Sequence, residues 1–156
     1  MSQWIWDVRQ FHRHFGHPIA STPTWLTPER EAFRVMLVDE ECGKELKEAL
    51  AARNMNKVAD AIADSIYVLI GMALEMGIPI TAVWNEVQAA NMRKAVNSQH
   101  HVDCKLRLSR QAEPERCTCG AVLYQENGKT AKPPGWEGPD RWIEFAMEQA
   151  AKKGTL

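Results

Sequence analysis

The fold is decided by residues 56–76, which read NKVADAIADSIYVLIGMALEM. Apolar side chains recur around nearly the whole helical repeat, which predicts a helix that is apolar on almost every face. Gly77 follows directly and is typical of the residue that ends a helix. We expect this helix to be buried. Its apolar surface exceeds what one short bundle covers, so the sequence also predicts an oligomer.

Four further helices are predicted around this central one from apolar periodicity and capping residues. They cover about 3–15, about 28–53, a stretch from Pro79 or Thr81 to about 96, and a last stretch from about 140 to 153. Between 97 and 139 the helical period disappears and glycine and proline recur, which predicts a loop or short hairpin. We therefore expect a single all-α domain over residues 1–156, a bundle of four to five helices with 97–139 as an irregular appendage.

The composition fits this domain and excludes several classes of protein. A chain of 156 residues with 45% hydrophobic content can bury a core. The net charge of −1 argues against a general nucleic-acid partner. No apolar run reaches the roughly 20 residues of a membrane span, and residues 1–7 lack the pattern of a signal peptide, so we expect a cytoplasmic location and no membrane partner.

Acidic residues on two helices form a candidate metal site. Glu41 and Glu45 border the apolar stripe of the second helix, whereas Glu40 points to the opposite side of an ideal helix. Asp60 and Asp64 lie four residues apart on one face of the central helix. Buried carboxylates are normally paired or bound to metal, because leaving them unpaired is costly. Oxygen ligands of this kind suit Mg²⁺ or Mn²⁺, which in turn bind phosphates.

The same acids also have a purely structural interpretation. The glutamates suit ordinary i,i+4 ion pairs on a solvated helix face, and the aspartates suit pairing with a lysine or with a partner helix. The cations available for these pairs are Arg34, Lys44, Lys47 and Lys57. In that case the chain is a non-catalytic helical binding module.

In combination, five stretches resemble the MazG-like superfamily of all-α nucleoside triphosphate pyrophosphohydrolases. These stretches are residues 11–18, 34–41, 60–71, 91–94 and 128–133. The resemblance implies metal-dependent hydrolysis of a nucleoside triphosphate to its monophosphate and pyrophosphate. It also implies a homodimer or homotetramer, and a location in the cytoplasm of a bacterium, or of a host cell if the chain is encoded by a phage.

The chain departs from the usual acidic pattern of this superfamily, which is Glu-Glu-x-x-Glu followed by Glu-x-x-Asp. Lys44 stands where the third glutamate is expected, and the acid comes one residue later at Glu45. Ala61 stands where the next glutamate is expected, and Asp60 precedes it. The resemblance then implies metal ligation across four-residue spacings, which helix geometry permits.

The residues implied by the resemblance at this acidic site have two roles. The metal ligands are Glu41, Glu45, Asp60 and Asp64. Glu40 and Glu41 are the catalytic pair, with Glu40 as the base or as an outer acid beside the metal. This role requires a bulge near Lys44 to rotate Glu40 toward the side of Glu41.

Substrate binding is predicted at the end of the helix that closes near 96. Asn91 and Lys94 share one helical side, so an ammonium can meet phosphate there, although a surface lysine beside a helix end has the same pattern. The resemblance adds Lys129 and Lys132, which stand in a Gly-Lys-x-x-Lys segment. One of the loop tryptophans, Trp25 and Trp136, is a candidate for stacking on a base. The resemblance favours a purine deoxynucleotide such as dGTP, the substrate of a MazZ-type group, as the substrate, with dUTP, dCTP and phosphoribosyl-ATP as the alternatives.

A second metal site is predicted within the appendage. Its ligands to a structural Zn²⁺ are His101, Cys104, Cys117 and Cys119. Reduced, unligated thiols are the alternative, since Cys-x-Cys is an unusual spacing for zinc.

Overall fold

The computed structural model describes residues 2–96, 125, 126, 129, 130, 132 and 136–154. Its elements are α1 (Gln3–Phe15), α2 (Pro28–Val38), a π-helix (Asp39–Glu45), α3 (Leu46–Ala51), α4 (Met55–Glu75), α5 (Ile80–Val96), β1 (Gln125–Glu126), β2 (Lys129–Thr130) and α6 (Asp140–Lys153). The predicted all-α, MazG-like class is confirmed. The five predicted helices are present, because α2, the π-helix and α3 follow one another without a break.

The chain divides into two compact units. The first contains Met1–Thr81 together with Ala146–Leu156, and the second contains Ala82–Phe145. Most of the appendage predicted over 97–139 lies outside the described residues. The two short strands within it pair antiparallel. That residues 1–156 act as a single domain stays a prediction.

The helix ends follow from local sequence. Thr27 caps α2, because its side-chain oxygen accepts a hydrogen bond from the backbone N–H of Arg30, and Pro28 occupies the first helical position. After α4, Gly77 adopts φ +61, a conformation that favours glycine. A Cβ there would lie 2.2 Å from the carbonyl oxygen of Thr22. The connector before α2 therefore packs closely against the end of α4.

A small apolar core fixes α1 to the C-terminal half of α4. Ile5 and Val8 of α1 pack with Leu74 of α4, and Ile70 and Ile80 pack against them. Val8 is the largest fully buried side chain among the described residues. Removing these apolar surfaces from water is the main favourable contribution to this contact.

A buried ion pair joins α2 to α4. The Glu75 carboxylate is fully buried, and it accepts a hydrogen bond of 2.7 Å from Nη2 of Arg34 and further hydrogen bonds from Arg30. Burial alone would raise the pKa of Glu75, but the hydrogen bonds and charges of the two arginines outweigh it and lower this pKa. The pair fixes the position of α2 along α4, directly before the π-helix.

His12 completes this polar network. Its Nδ1 lies 3.0 Å from the carbonyl oxygen of Pro18, and its Nε2 lies 3.2 Å from Nη2 of Arg34. Since a guanidinium only donates, Nε2 is the acceptor and the proton of the neutral ring is on Nδ1. A Cβ at Gly71 would lie 2.9 Å from Arg34 and 3.0 Å from His12, so a larger residue here would have to displace the Arg34 guanidinium. His12 therefore has a structural role.

We expect the stability of the fold to depend on His12 at mildly acidic pH. Burial lowers the pKa of His12 and the charge of Arg34 adds to this effect, whereas the Pro18 carbonyl and Glu75 oppose it; the net direction is down. The stabilisation from neutral His12 is therefore present above about pH 6.5 and is lost as the pH falls through the lowered pKa. The free energy of unfolding should decrease in this window, which denaturant titrations at several pH values measure.

The matched variants are His12→Asn, which removes the titrating ring, and His14→Asn on the exposed side of the same helix. His14→Asn should keep the pH dependence of the wild type. In His12→Asn, the decrease in the free energy of unfolding below about pH 6.5 should be absent. An unchanged pH profile in His12→Asn would show that His12 does not control stability in this range.

The expectation that the central helix is buried is wrong for the single chain. Ile62 and Leu69 of α4 remain 47% and 48% exposed. Elements α1, α2, α3 and the π-helix all contact α4, but they leave part of its apolar surface open. In the described part of the chain, no single helix is long and apolar enough to span a membrane, although α4 and α5 counted together pass that test of length and composition.

Candidate active site

The acidic segment lies on a π-helix. Residues Asp39–Glu45 adopt this wider helix, and α-helix continues on both sides of it. A π-helical turn accommodates an extra residue within a helix and is often found at functional sites. The bulge expected near Lys44 is therefore present, at the place where the sequence carries its additional residue.

Glu41 is the centre of an acidic cluster. Its Oε2 atom is buried and has no hydrogen-bond partner among the described residues. Burial raises the pKa of Glu41, and the charges of four neighbouring carboxylates raise it further. These neighbours, in decreasing order of effect, are Glu45, Asp64, Glu40 and Asp60. The structure thus places all five predicted acids of the π-helix and α4 close enough for the other four to act electrostatically on Glu41.

The exposure of these acids corrects one premise of the sequence argument. Asp60 is exposed and Asp64 is half-buried, so the carboxylates of α4 are not the buried groups that the apolar composition predicted. The elements around α4 cover the adjacent Ala61, which is 2% exposed, and leave Asp60 open. The buried carboxylate oxygen is instead Oε2 of Glu41, on the neighbouring helix.

The ion-pair interpretation of the acids is not observed. In the part of the chain that the structure describes, none of the five carboxylates forms a salt bridge with a lysine or arginine. Arg34, one of the cations considered, is buried and pairs with Glu75 instead. The protein therefore leaves the negative charge around Glu41 without a cationic partner among these residues.

The donor set of the cluster fits a hard divalent cation. All its donors are carboxylate oxygens, the ligands that Mg²⁺ and Mn²⁺ favour, and one of them is a buried oxygen without a partner. Within the described residues, no three histidine, cysteine or acidic side chains converge closely enough to hold a metal ion. Rotation of the exposed Glu45 and Asp60 side chains would be needed to gather their oxygens around one ion.

In the second unit, two of the predicted substrate-binding residues, Lys94 and Lys132, lie over the ring of Trp136. Nζ of Lys94 donates to Oδ1 of Asn91 at 2.9 Å, so these two residues do share one side of α5. Nζ of Lys94 lies 5.5 Å from the centroid of the Trp136 ring, and Nζ of Lys132 lies 4.6 Å from it. Lys129 lies in β2, and its side chain is outside the described part of the chain.

The predicted zinc ligands His101, Cys104, Cys117 and Cys119 lie outside the described residues. Zinc in the appendage therefore stays a prediction, and elemental analysis of protein purified without added metal tests it.

The profile of the phosphoribosyl-ATP pyrophosphohydrolase family matches residues 8–91, more than half of the chain. The chain belongs to this family. Phosphoribosyl-ATP pyrophosphohydrolases are part of the MazG-like superfamily, so the chain is a nucleotide pyrophosphohydrolase. No curated protein matches the chain.

The matched range includes the π-helix, the acids of α4 and Asn91. Lys94, Lys132 and Trp136 lie beyond its end. Trp136 was a candidate from the sequence only as a loop tryptophan, because no local pattern shows that two lysines lie at its ring.

Proposed function

We propose that the chain hydrolyses a deoxynucleoside triphosphate to the monophosphate and pyrophosphate, with Mg²⁺ or Mn²⁺ held by Glu41, Glu45, Asp60 and Asp64. The observation that carries this proposal is the buried Oε2 of Glu41, which has no hydrogen-bond partner among the described residues and lies among four other carboxylates. Without a cation such a cluster is repulsive, and a divalent ion is the simplest group that balances it.

When bound, the metal ion supplies positive charge that neutralises the triphosphate and favours ionisation of a water molecule. Glu40, whose side chain is exposed at the edge of the cluster, accepts a proton from the attacking water. The water oxygen forms a bond to the α-phosphorus, and the bond from that phosphorus to the oxygen bridging to the β-phosphorus breaks. Pyrophosphate leaves with the electron pair of the broken bond.

The phosphates are bound by Asn91, Lys94, Lys129 and Lys132 in this proposal. A lysine ammonium is a compact charge on a flexible stem, which suits phosphate oxygens of any nucleotide. The Lys94 ammonium is oriented by the amide of Asn91. These residues are therefore assigned to the phosphates and not to the base.

For the base, we propose a purine deoxynucleotide, with dGTP first. The family match favours phosphoribosyl-ATP as the second candidate. A panel of dNTPs, NTPs and phosphoribosyl-ATP, assayed for pyrophosphate with Mg²⁺ or Mn²⁺, tests both. The highest kcat/KM is expected for dGTP. A higher value for phosphoribosyl-ATP, dUTP or dCTP would identify that nucleotide as the substrate in place of dGTP. If none of the nucleotides released pyrophosphate in the presence of metal, the proposed activity would be refuted.

We further propose that two copies of the chain associate through the open surface of α1 and α4. A groove of about 380 Å³ between these helices has mostly apolar walls. Its lining includes Trp4, Val8, Ile62, Ile66 and Tyr67. Exposed apolar surface of this kind is costly in a monomer and typical of a subunit interface.

Ile62→Glu should convert the dimer to a monomer, because it places a charge in the apolar contact. Light scattering on the size-exclusion eluate should give twice the 17.7 kDa chain mass for the wild type and the chain mass for the variant. Trp25→Glu is the control, since Trp25 is 84% exposed and does not line the groove. A wild type that elutes with the mass of one chain would refute the proposal.

A further inference from the structure

The indole of Trp136 is fixed against the last turns of α5. Its Nε1 donates a hydrogen bond of 2.8 Å to the carbonyl oxygen of Ala90, a residue that is 1% exposed. The neighbouring Glu137 carbonyl accepts a further hydrogen bond, of 3.5 Å, from Arg93. These two contacts give the ring a defined place beside the helix.

Two ammonium groups that are distant in sequence lie over this ring. Lys94 comes from α5 itself and Lys132 from the segment before Trp136, and their Nζ atoms lie 5.5 Å and 4.6 Å from the ring centroid. Both distances fall within the ~6 Å over which an aromatic face attracts a cation. Since like charges repel, two ammonium groups at one ring need such an attraction.

An aromatic face positions a cation without neutralising it. The ring attracts the ammonium through its quadrupole but carries no net charge, whereas a carboxylate would compete with an anionic ligand. Among the described residues, neither Lys94 nor Lys132 forms a salt bridge with a carboxylate. Within the described residues, both positive charges at this ring are therefore available for an anion with several oxygens.

We infer that Trp136 is a positioning residue that holds Lys94 and Lys132 together for the phosphates that become pyrophosphate. This inference rests on the proposed function, because it takes the anion to be the β,γ-phosphate part of the substrate. It also assigns the ring to the lysines and not to the base. A lysine pair held in this way acts on every nucleotide equally.

The test compares Trp136→Leu, which removes the aromatic face, with Trp136→Phe, which keeps a face and loses the hydrogen bond to Ala90. Trp84→Leu is the control, because Trp84 lies on α5 with Lys94, is 67% exposed and, among the described residues, has no lysine over its ring. The readouts are KM and kcat for three nucleotides with different bases, and the inhibition constant of inorganic pyrophosphate.

Trp136→Leu should raise KM and the pyrophosphate inhibition constant about tenfold for all nucleotides, with kcat nearly unchanged. Trp136→Phe should raise these two constants by a smaller factor, and Trp84→Leu should leave both at the values of the wild type. An unchanged inhibition constant in Trp136→Leu overturns the inference. A reordered base preference also overturns it, because the ring would then contact the base.

Two further measurements keep the test decisive. If Trp136→Leu loses its helical circular dichroism, a double-mutant cycle of Trp136→Phe with Lys132→Ala replaces it, and additive effects on pyrophosphate inhibition overturn the inference. If the wild type hydrolyses no nucleotide, the proposed function fails. Calorimetry with inorganic pyrophosphate and Mg²⁺ then tests the inference separately: equal affinity in the wild type and Trp136→Leu, or no binding at all, overturns it.

Discussion

Glu41→Gln is expected to lower kcat/KM by about a hundredfold or more while the fold remains intact. The amide keeps the size of the side chain but removes the charge at the centre of the acidic cluster, where one oxygen is buried without a partner. It therefore weakens the attraction for a divalent cation. Asp64→Asn should have a similar effect, because Asp64 is among the carboxylates that act on Glu41.

Stability provides a second measurement for the same variant. In the absence of divalent ions, Glu41→Gln should be at least as stable as the wild type, because it removes repulsion from four neighbouring acids. Mg²⁺ or Mn²⁺ should raise the melting temperature of the wild type but not that of the variant. A variant that loses activity only because it unfolds would show a lower melting temperature under both conditions.

Glu48→Gln is the matched control for this experiment. Glu48 is an exposed glutamate of α3 and does not contribute to the raised pKa of Glu41. Its activity and its response to metal should equal those of the wild type. If Glu41→Gln kept near-full turnover, or if Glu48→Gln lost as much activity, the assignment of the metal site would be wrong.

Glu75→Ala is expected to reduce the free energy of unfolding by about 3–5 kcal/mol. The substitution leaves Arg34 without its carboxylate, and the side chain of Arg34 is only 6% exposed. Water cannot replace the lost partner of a charge buried to this extent, so the full cost of desolvation remains. Urea denaturation followed by circular dichroism measures the loss.

The control for Glu75→Ala breaks an ion pair on the surface. Glu148 pairs with Lys152 at 4.0 Å on α6, and both side chains are mostly exposed. Glu148→Ala should change the free energy of unfolding by less than about 0.5 kcal/mol, because water solvates both ions. Similar losses in the two variants would mean that the Glu75 network does not hold α2 to α4.

The helices could be predicted from the sequence because their determinants are local. Thr27 with Pro28 marks the start of α2, and Gly77 follows the end of α4, whatever the remainder of the chain does. The acids Glu41 and Asp64 could be named for the same reason, since helical spacing determines which side chains share a face. The widened turn near Lys44 was expected from the extra residue in the acidic pattern.

What could not be predicted depends on contacts between distant residues. Glu75 has the appearance of an ordinary residue in the last turn of a helix, and its partner Arg34 lies 41 positions earlier. Nor does an apolar composition show which part of a helix its neighbours cover, so the exposure of Ile62 was missed. Similarly, the position of Lys132 at the ring of Trp136 depends on how the chain returns to α5.

The π-helix also bears on how such chains are recognised and how they diverge. An inserted residue in a regular helix rotates every later side chain by about 100°, which would separate the acids on its two sides. A single widened turn confines the change to Asp39–Glu45, so a Glu-Glu-x-x-Glu spacing can lengthen by one position while the downstream helix stays in place. A search pattern that requires a fixed interval between the acids excludes this chain, whereas a pattern with one optional residue after the second glutamate includes it.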